Sequence, residues 1–184
     1  PSAQRRRVAV VLADLRLPPK PLERIFELDD EAAMDAFGGR LAAQITGRTM
    51  LTLSGDLGAG KTTLARGILR GLGHRGSVKS PTYTVIEPYD LPIGRVYHFD
   101  LYRLDDPEEL EFLGFRDYLN DGFLCMLEWP EKGAGYLDSV DLTVVIDVRR
   151  RGRKLALAAY SDAGAVILQG LSSGVAGEAP KSDV

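Results

Sequence analysis

A lysine and a threonine side by side behind a run of glycines can do phosphate chemistry. Residues 55–63 supply that arrangement: Gly55-Asp56-Leu57-Gly58-Ala59-Gly60-Lys61-Thr62-Thr63. The spacing fits the phosphate-binding pattern G-x-x-x-x-G-K-[ST]. Gly55 and Gly60 permit backbone angles and close approaches that a Cβ would block. The turn aims successive N–H groups inward as a cradle for an anion, and the helix that follows adds its unpaired N–H groups and positive dipole end. Lys61 is placed to reach the β- and γ-phosphates as a point charge, and the Thr62 hydroxyl to ligate Mg²⁺.

Hydrolysis also needs a carboxylate for the metal and a group that orients water. Open α/β sheets collect their ligands at the carboxyl ends of the strands. Glu128 ends the apolar run Phe123–Leu127, and Asp100 ends Val96-Tyr97-His98-Phe99. Acids at strand ends are also common as caps and surface groups, so it is the glycine loop that singles these two out as catalytic and metal-binding candidates. Ser80 and Thr82 occupy the loop after the phosphate helix, where switch proteins carry a γ-phosphate sensor; a plain Ser-Pro turn is the alternative. Trp129 could stack on a base or a partner, or pack into the core. His98 could be catalytic, but a packed strand histidine is the favoured reading. Guanine is commonly read by Asn-Lys-x-Asp, but the single asparagine, Asn120, is followed by Asp121-Gly122-Phe123, so adenine is favoured.

Positioning these groups requires a strand, the glycine loop and a helix in that order. Thr49–Ser54 reads as the strand and Leu64–Gly73 as the helix. Upstream, Arg24–Leu28 reads as a strand, and Asp29 or Asp30 can cap a helix from Glu31 to about Ile45 with Ala33, Phe37, Leu41, Ala42 and Ile45 as its apolar stripe. Downstream, Tyr83–Tyr89 and Arg95–Phe99 predict a hairpin across Asp90–Gly94. Asp106-Pro107-Glu108-Glu109 predicts a helix start, with Leu110, Leu113, Phe115 and Tyr118 on the buried side. Phe123–Leu127 predicts a buried parallel strand. Leu142–Val148 and Lys154–Tyr160 predict a second hairpin. The expected organisation is an N-terminal extension over 1–21, in which Val8–Leu12 could add a strand and Pro18–Pro21 is a linker. One P-loop domain follows over 22–169, then a disordered tail over 170–184.

The 184 residues suit a single domain. A net charge of -3 lacks the electrostatic footprint of a direct DNA or RNA binder. Arg5–Arg7 and Arg149–Arg151 read as a tail and a solvated face. The lone Cys125 excludes an internal disulfide and reads as a core thiol. Two histidines and one cysteine make no zinc site. No apolar run approaches a membrane span, and the run from Val8, cut off by Asp14, is too short for a signal peptide and leads to no small-residue cleavage site. No membrane association and a cytoplasmic location are expected.

Taken together, the motifs resemble the bacterial TsaE (YjeE) family. The carriers are the Gly55–Thr63 loop, Val78-Lys79-Ser80-Pro81-Thr82-Tyr83-Thr84, His98-Phe99-Asp100-Leu101-Tyr102-Arg103-Leu104 and Leu127-Glu128-Trp129-Pro130-Glu131, with the helix start at Asp106. The resemblance covers about residues 22 to 169 and implies a P-loop NTPase-like α/β fold. Its central sheet is mostly parallel, flanked by helices, with antiparallel hairpin additions. It implies Mg²⁺ and ATP as cofactors, weak ATPase activity alone, and TsaD and TsaB as partners. With TsaC these install threonylcarbamoyl on the adenosine next to the anticodon of ANN-decoding tRNAs, which TsaE reaches only through the complex. By the same resemblance Lys61 and Thr62 carry phosphate and Mg²⁺ contacts, and Thr63 continues the cradle. Asp100 and Glu128 carry metal or water positioning, Glu128 nearer the metal. Trp129 matches a site residue. No clear arginine finger shows in the chain; Arg103 is a candidate, and a partner could instead supply that group or order the Ser80–Thr82 loop. Two other classes fit the glycine loop: a small-molecule or nucleotide kinase, and a nucleotide-dependent binding module without turnover.

Overall fold

A computed structural model describes residues 21–137 and 139–173. The expected strand at Val8–Leu12 and most of the Pro18–Pro21 linker lie outside the described residues.

The chain order is β1 (Leu22–Leu28), α1 (Glu31–Ala42), β2 (Thr49–Gly55), α2 (Lys61–Gly71), β3 (Ile86–Leu91), β4 (Gly94–Asp100), α3 (Glu109–Phe112), α4 (Phe115–Asp121), β5 (Leu124–Glu128), β6 (Leu142–Val148), β7 (Arg153–Ala159) and α5 (Asp162–Ser173). The strands form one seven-stranded sheet in the order β1-β7-β6-β2-β5-β4-β3. Its centre, β6-β2-β5-β4, is parallel, and β1, β7 and β3 add on antiparallel. This is the expected mixed sheet, with β2 at its middle.

Alternation along the strands divides the core in two. Leu51 and Leu53, Leu124 and Met126, and Val144 and Ile146 pack with α1, α2 and α5 on one face. Met50, Cys125, Leu127, Tyr97 and Phe99 pack with α3 and α4 on the other. β5 is buried at every position, as its continuous apolar run requires of a central parallel strand. Cys125 is buried as expected, and burial pushes its thiol up to about 12.

Several local expectations are corrected. Tyr83–Val85 form a turn instead of the start of a strand, because Val85 N donates back to Pro81 O at 2.6 Å and Val85 adopts φ 65. The helix expected to run to Ile45 ends at Ala42. Of its two candidate caps Asp30 serves, accepting from Ala33 N at 2.8 Å. Asp106 accepts from Glu108 N in a turn, so the helix starts at Glu109, and Gly114 at φ 68 splits the segment in two. That split leaves Leu113 38% exposed while Leu110 and Phe115 are buried. Helix α5 was not anticipated. It continues to Ser173, past the Gly170 boundary, and buries Ile167, Leu168 and Leu171.

Candidate nucleotide site

β2 delivers the chain into the glycine loop at Gly55, whose φ of 152 suits glycine. A Cβ there would meet Ile146 O at 2.7 Å. Gly58 and Gly60 follow at φ 76 and 110. Gly60 is also the N-terminal residue bounding α2, and no side chain caps that helix. Its first N–H groups are therefore available to an anion. Asp56, Leu57 and Ala59 contribute loop backbone. Leu57 is exposed at the tip, and Ala59 is buried, with its carbonyl accepting from Arg153 Nε at 2.8 Å.

Lys61 begins α2, buried, with Nζ donating to Gly55 O at 2.8 Å and Asp56 O at 3.0 Å. Burial holds its pKa below the usual lysine value, against the opposing pull of Glu128, Glu131, Asp100 and Asp56. The Trp129 ring lies 3.8 Å from the ammonium, a cation–π contact. Trp129 takes φ 59 directly after β5, and Tyr102 packs against it with 5.0 Å between ring centroids.

The carboxylates arrive by sheet register. Glu128 pairs with Leu53 on β2 and with Asp100 on β4. Thr62 Oγ1 donates to the Glu128 carboxylate, 2.9 Å from Oε1 and 3.2 Å from Oε2. Both acids are buried, Glu128 at 2% exposure and Asp100 at 3%. Asp100 Oδ2 accepts from Ser80 Oγ and from Thr82 Oγ1, each at 2.7 Å, and Oδ1 accepts from Tyr102 N at 3.1 Å. The loop after α2 is thus tied to the end of β4. Thr63 stands in the first turn of α2, half-buried.

The site therefore brings Lys61, Thr62 and Glu128 together and puts Asp100, Ser80 and Thr82 beside them. Arg103 lies outside this cluster, its guanidinium 4.2 Å over the exposed Tyr83 ring. Two contacts escaped the sequence reading. His98 Nε2 is 2.9 Å from Glu128 Oε1, and period-two alternation along β4 could have found it, since His98 shares a face with Asp100. Arg153, read only as the end of the connection between the last two strands, braces the glycine loop; no local signal marks it.

The donor set fits a small hard cation shared with phosphate oxygens. With its proton given to Glu128, the Thr62 hydroxyl keeps lone pairs for a metal, and Mg²⁺ typically takes one or two carboxylates plus substrate phosphates. Among the described residues no group of three or more His, Cys, Asp or Glu could hold a metal unaided.

This fold and cradle define a P-loop-type α/β protein. The family model for "Threonylcarbamoyl adenosine biosynthesis protein TsaE" matches residues 28–155. The chain belongs to the TsaE family. It is 48% identical over 151 residues to the tRNA threonylcarbamoyladenosine biosynthesis protein TsaE of Haemophilus influenzae, covering 79% of this chain and 96% of that one. The Bacillus subtilis protein of the same name is 42% identical over 97 residues, which is 53% of this chain and 60% of the relative. The crystal structure of Bacillus subtilis YdiB superposes with a TM-score of 0.72 at 26% identity, covering 85% of this chain and 99% of that one. Among the described residues no helix is long and apolar enough to cross a membrane.

Proposed function

We propose that this protein is a cytoplasmic Mg²⁺-dependent ATPase, slow alone, whose nucleotide cycle serves a TsaB–TsaD assembly. That assembly forms threonylcarbamoyladenosine next to the anticodon of ANN-decoding tRNAs. Membership of the TsaE family supports the biosynthetic role. The observation that carries the ATPase reading is the Thr62–Glu128 hydrogen bond at the mouth of the glycine cradle, beside Lys61.

In this reading the Gly55–Gly60 amides and the start of α2 bind the phosphates, and Lys61 supplies their countercharge. Thr62 and Glu128 would hold Mg²⁺, with Asp100 close by. The ion, when bound, neutralises charge that develops on the transferred phosphoryl group. Asp100 orients the attacking water and takes its hydrogen bond. Since Ser80 and Thr82 occupy Asp100 Oδ2, exchanging those bonds for a water couples loop position to turnover. Trp129 covers Lys61 and keeps water from its ammonium. The net charge of -3 agrees with a protein that meets tRNA through partners and not by its own surface.

The test is hydrolysis of ATP by the purified chain, alone and with its own TsaB–TsaD pair, with GTP as control. ATP-selective turnover that rises with the partners is expected. Phosphate delivered to a metabolite would favour a kinase, and binding without turnover under every condition would favour a passive nucleotide-dependent module.

A further inference from the structure

His98 is fully buried, at 0% exposure, between the aromatic residues Tyr97 and Phe99 of β4. Its Cα partner on β5 is Met126, yet its ring reaches forward by one pleat to Glu128. Nε2 lies 2.9 Å from Glu128 Oε1, the same oxygen that takes the Thr62 hydroxyl at 2.9 Å. Two donors thus converge on one oxygen of a buried carboxylate. Oε2 takes the longer Thr62 contact, 3.2 Å. The other ring nitrogen, Nδ1, is buried without a hydrogen-bond partner among the described residues. A histidine kept for packing alone would more economically be a phenylalanine. The imidazole adds what a phenylalanine lacks, an N–H within hydrogen-bond distance of a carboxylate that can only accept.

We propose that His98 is a positioning residue for Glu128. Donating from Nε2, it locks the carboxylate in the rotamer that faces Thr62, so the pair is ready for Mg²⁺ without rearrangement. Partners of this outer kind orient a metal's ligands, and losing one typically weakens metal affinity about tenfold to a hundredfold. The inference rests on the Mg²⁺-ATPase reading and adds a residue to it.

Side-chain geometry supplies the control. A glutamine amide nitrogen stands as many bonds from Cα as His Nε2 does and can reach Glu128. An asparagine amide mimics Nδ1 and stops short. Phenylalanine keeps the ring volume and removes the donor. The experiment measures the affinity of the full chain for a non-hydrolysable ATP analogue by calorimetry, in EDTA and in saturating Mg²⁺, for wild type, His98→Phe, His98→Asn and His98→Gln. Thermal unfolding without ligand checks each fold.

The expected result is unchanged affinity in EDTA for all four. The gain conferred by Mg²⁺ should shrink about tenfold or more in His98→Phe and His98→Asn and return to within about threefold of wild type in His98→Gln. Should His98→Phe fail to fold, the Asn and Gln pair carries the test. A full Mg²⁺ gain in His98→Phe, or equal losses in Asn and Gln, would overturn the role of His98 alone. A wild-type chain that gains nothing from Mg²⁺ would overturn the ATPase reading and this inference together.

Discussion

Lys61 carries its charge in an unfavourable place. It is buried at 5% exposure, and loss of hydration pulls its pKa below the ordinary 10.5. Its present partners are two carbonyl oxygens and the face of Trp129, which only partly replace water. A polyphosphate would favour the charged form, so binding raises the lysine's pKa and takes up a proton wherever the free protein has begun to lose one. Nucleotide affinity is therefore expected to fall as pH rises through the lowered Lys61 pKa, at a pH below 10.5. Calorimetry over an alkaline pH series checks this. Lys61→Ala should lose the slope and about tenfold to a hundredfold in affinity, the worth of a charge-assisted contact. Its circular dichroism should be unchanged. Affinity like the wild type's would remove Lys61 from the site. Both the lysine and the role proposed for it are readable in nine consecutive residues, because a phosphate cradle is local.

Among the elements, α1 and α2 depend on the absence of side chains where they meet. A Cβ on Gly67 would come within 2.4 Å of Asp35 O, one on Gly38 within 2.8 Å of the Gly67 backbone, and one on Gly71 within 2.7 Å of the Ala42 side chain. The helices therefore touch backbone to backbone, and α2 is pressed into the position from which its first turn serves the cradle. Arg66 and Arg70 close the contact from outside through Asp35, with Arg66 also reaching Glu31. Gly67→Ala favours the isolated helix but overpacks the pair. A net destabilisation of about 1–3 kcal/mol is expected in urea unfolding, with lower nucleotide affinity as α2 shifts. A variant as stable as wild type would show that the helices can separate freely. Nothing in the local sequence marks these glycines, since glycine inside a helix reads only as a weak former. The turn at Tyr83–Val85 and the split at Gly114 were missed for a similar reason. Each is set by a contact or backbone angle that hydrophobic periodicity does not record.

The described residues form one sheet with two cores, and α5 belongs to the larger. Leu171 is 1% exposed and packs in the core that also holds Leu51 and Leu64 beside the site. Truncation after Gly170 removes that leucine and should cost about 2–5 kcal/mol beyond truncation after Ser173, as a buried leucine does when lost. Equal melting temperatures for the two truncations would show α5 to be dispensable there. The sequence by itself determined the glycine cradle, the lysine and threonine behind it, two strands ending in acids and the adjacent hairpins. All of these follow from local spacing, alternation and turn chemistry. Only the tertiary structure decided which acid meets Thr62, because that depends on β5 lying between β2 and β4. It also decided that Ser80 and Thr82 hold Asp100, that His98 reaches Glu128, and that Arg153 braces the loop from 94 residues away. Those contacts join segments distant in the chain, and strand order and register, not residue type, bring them together.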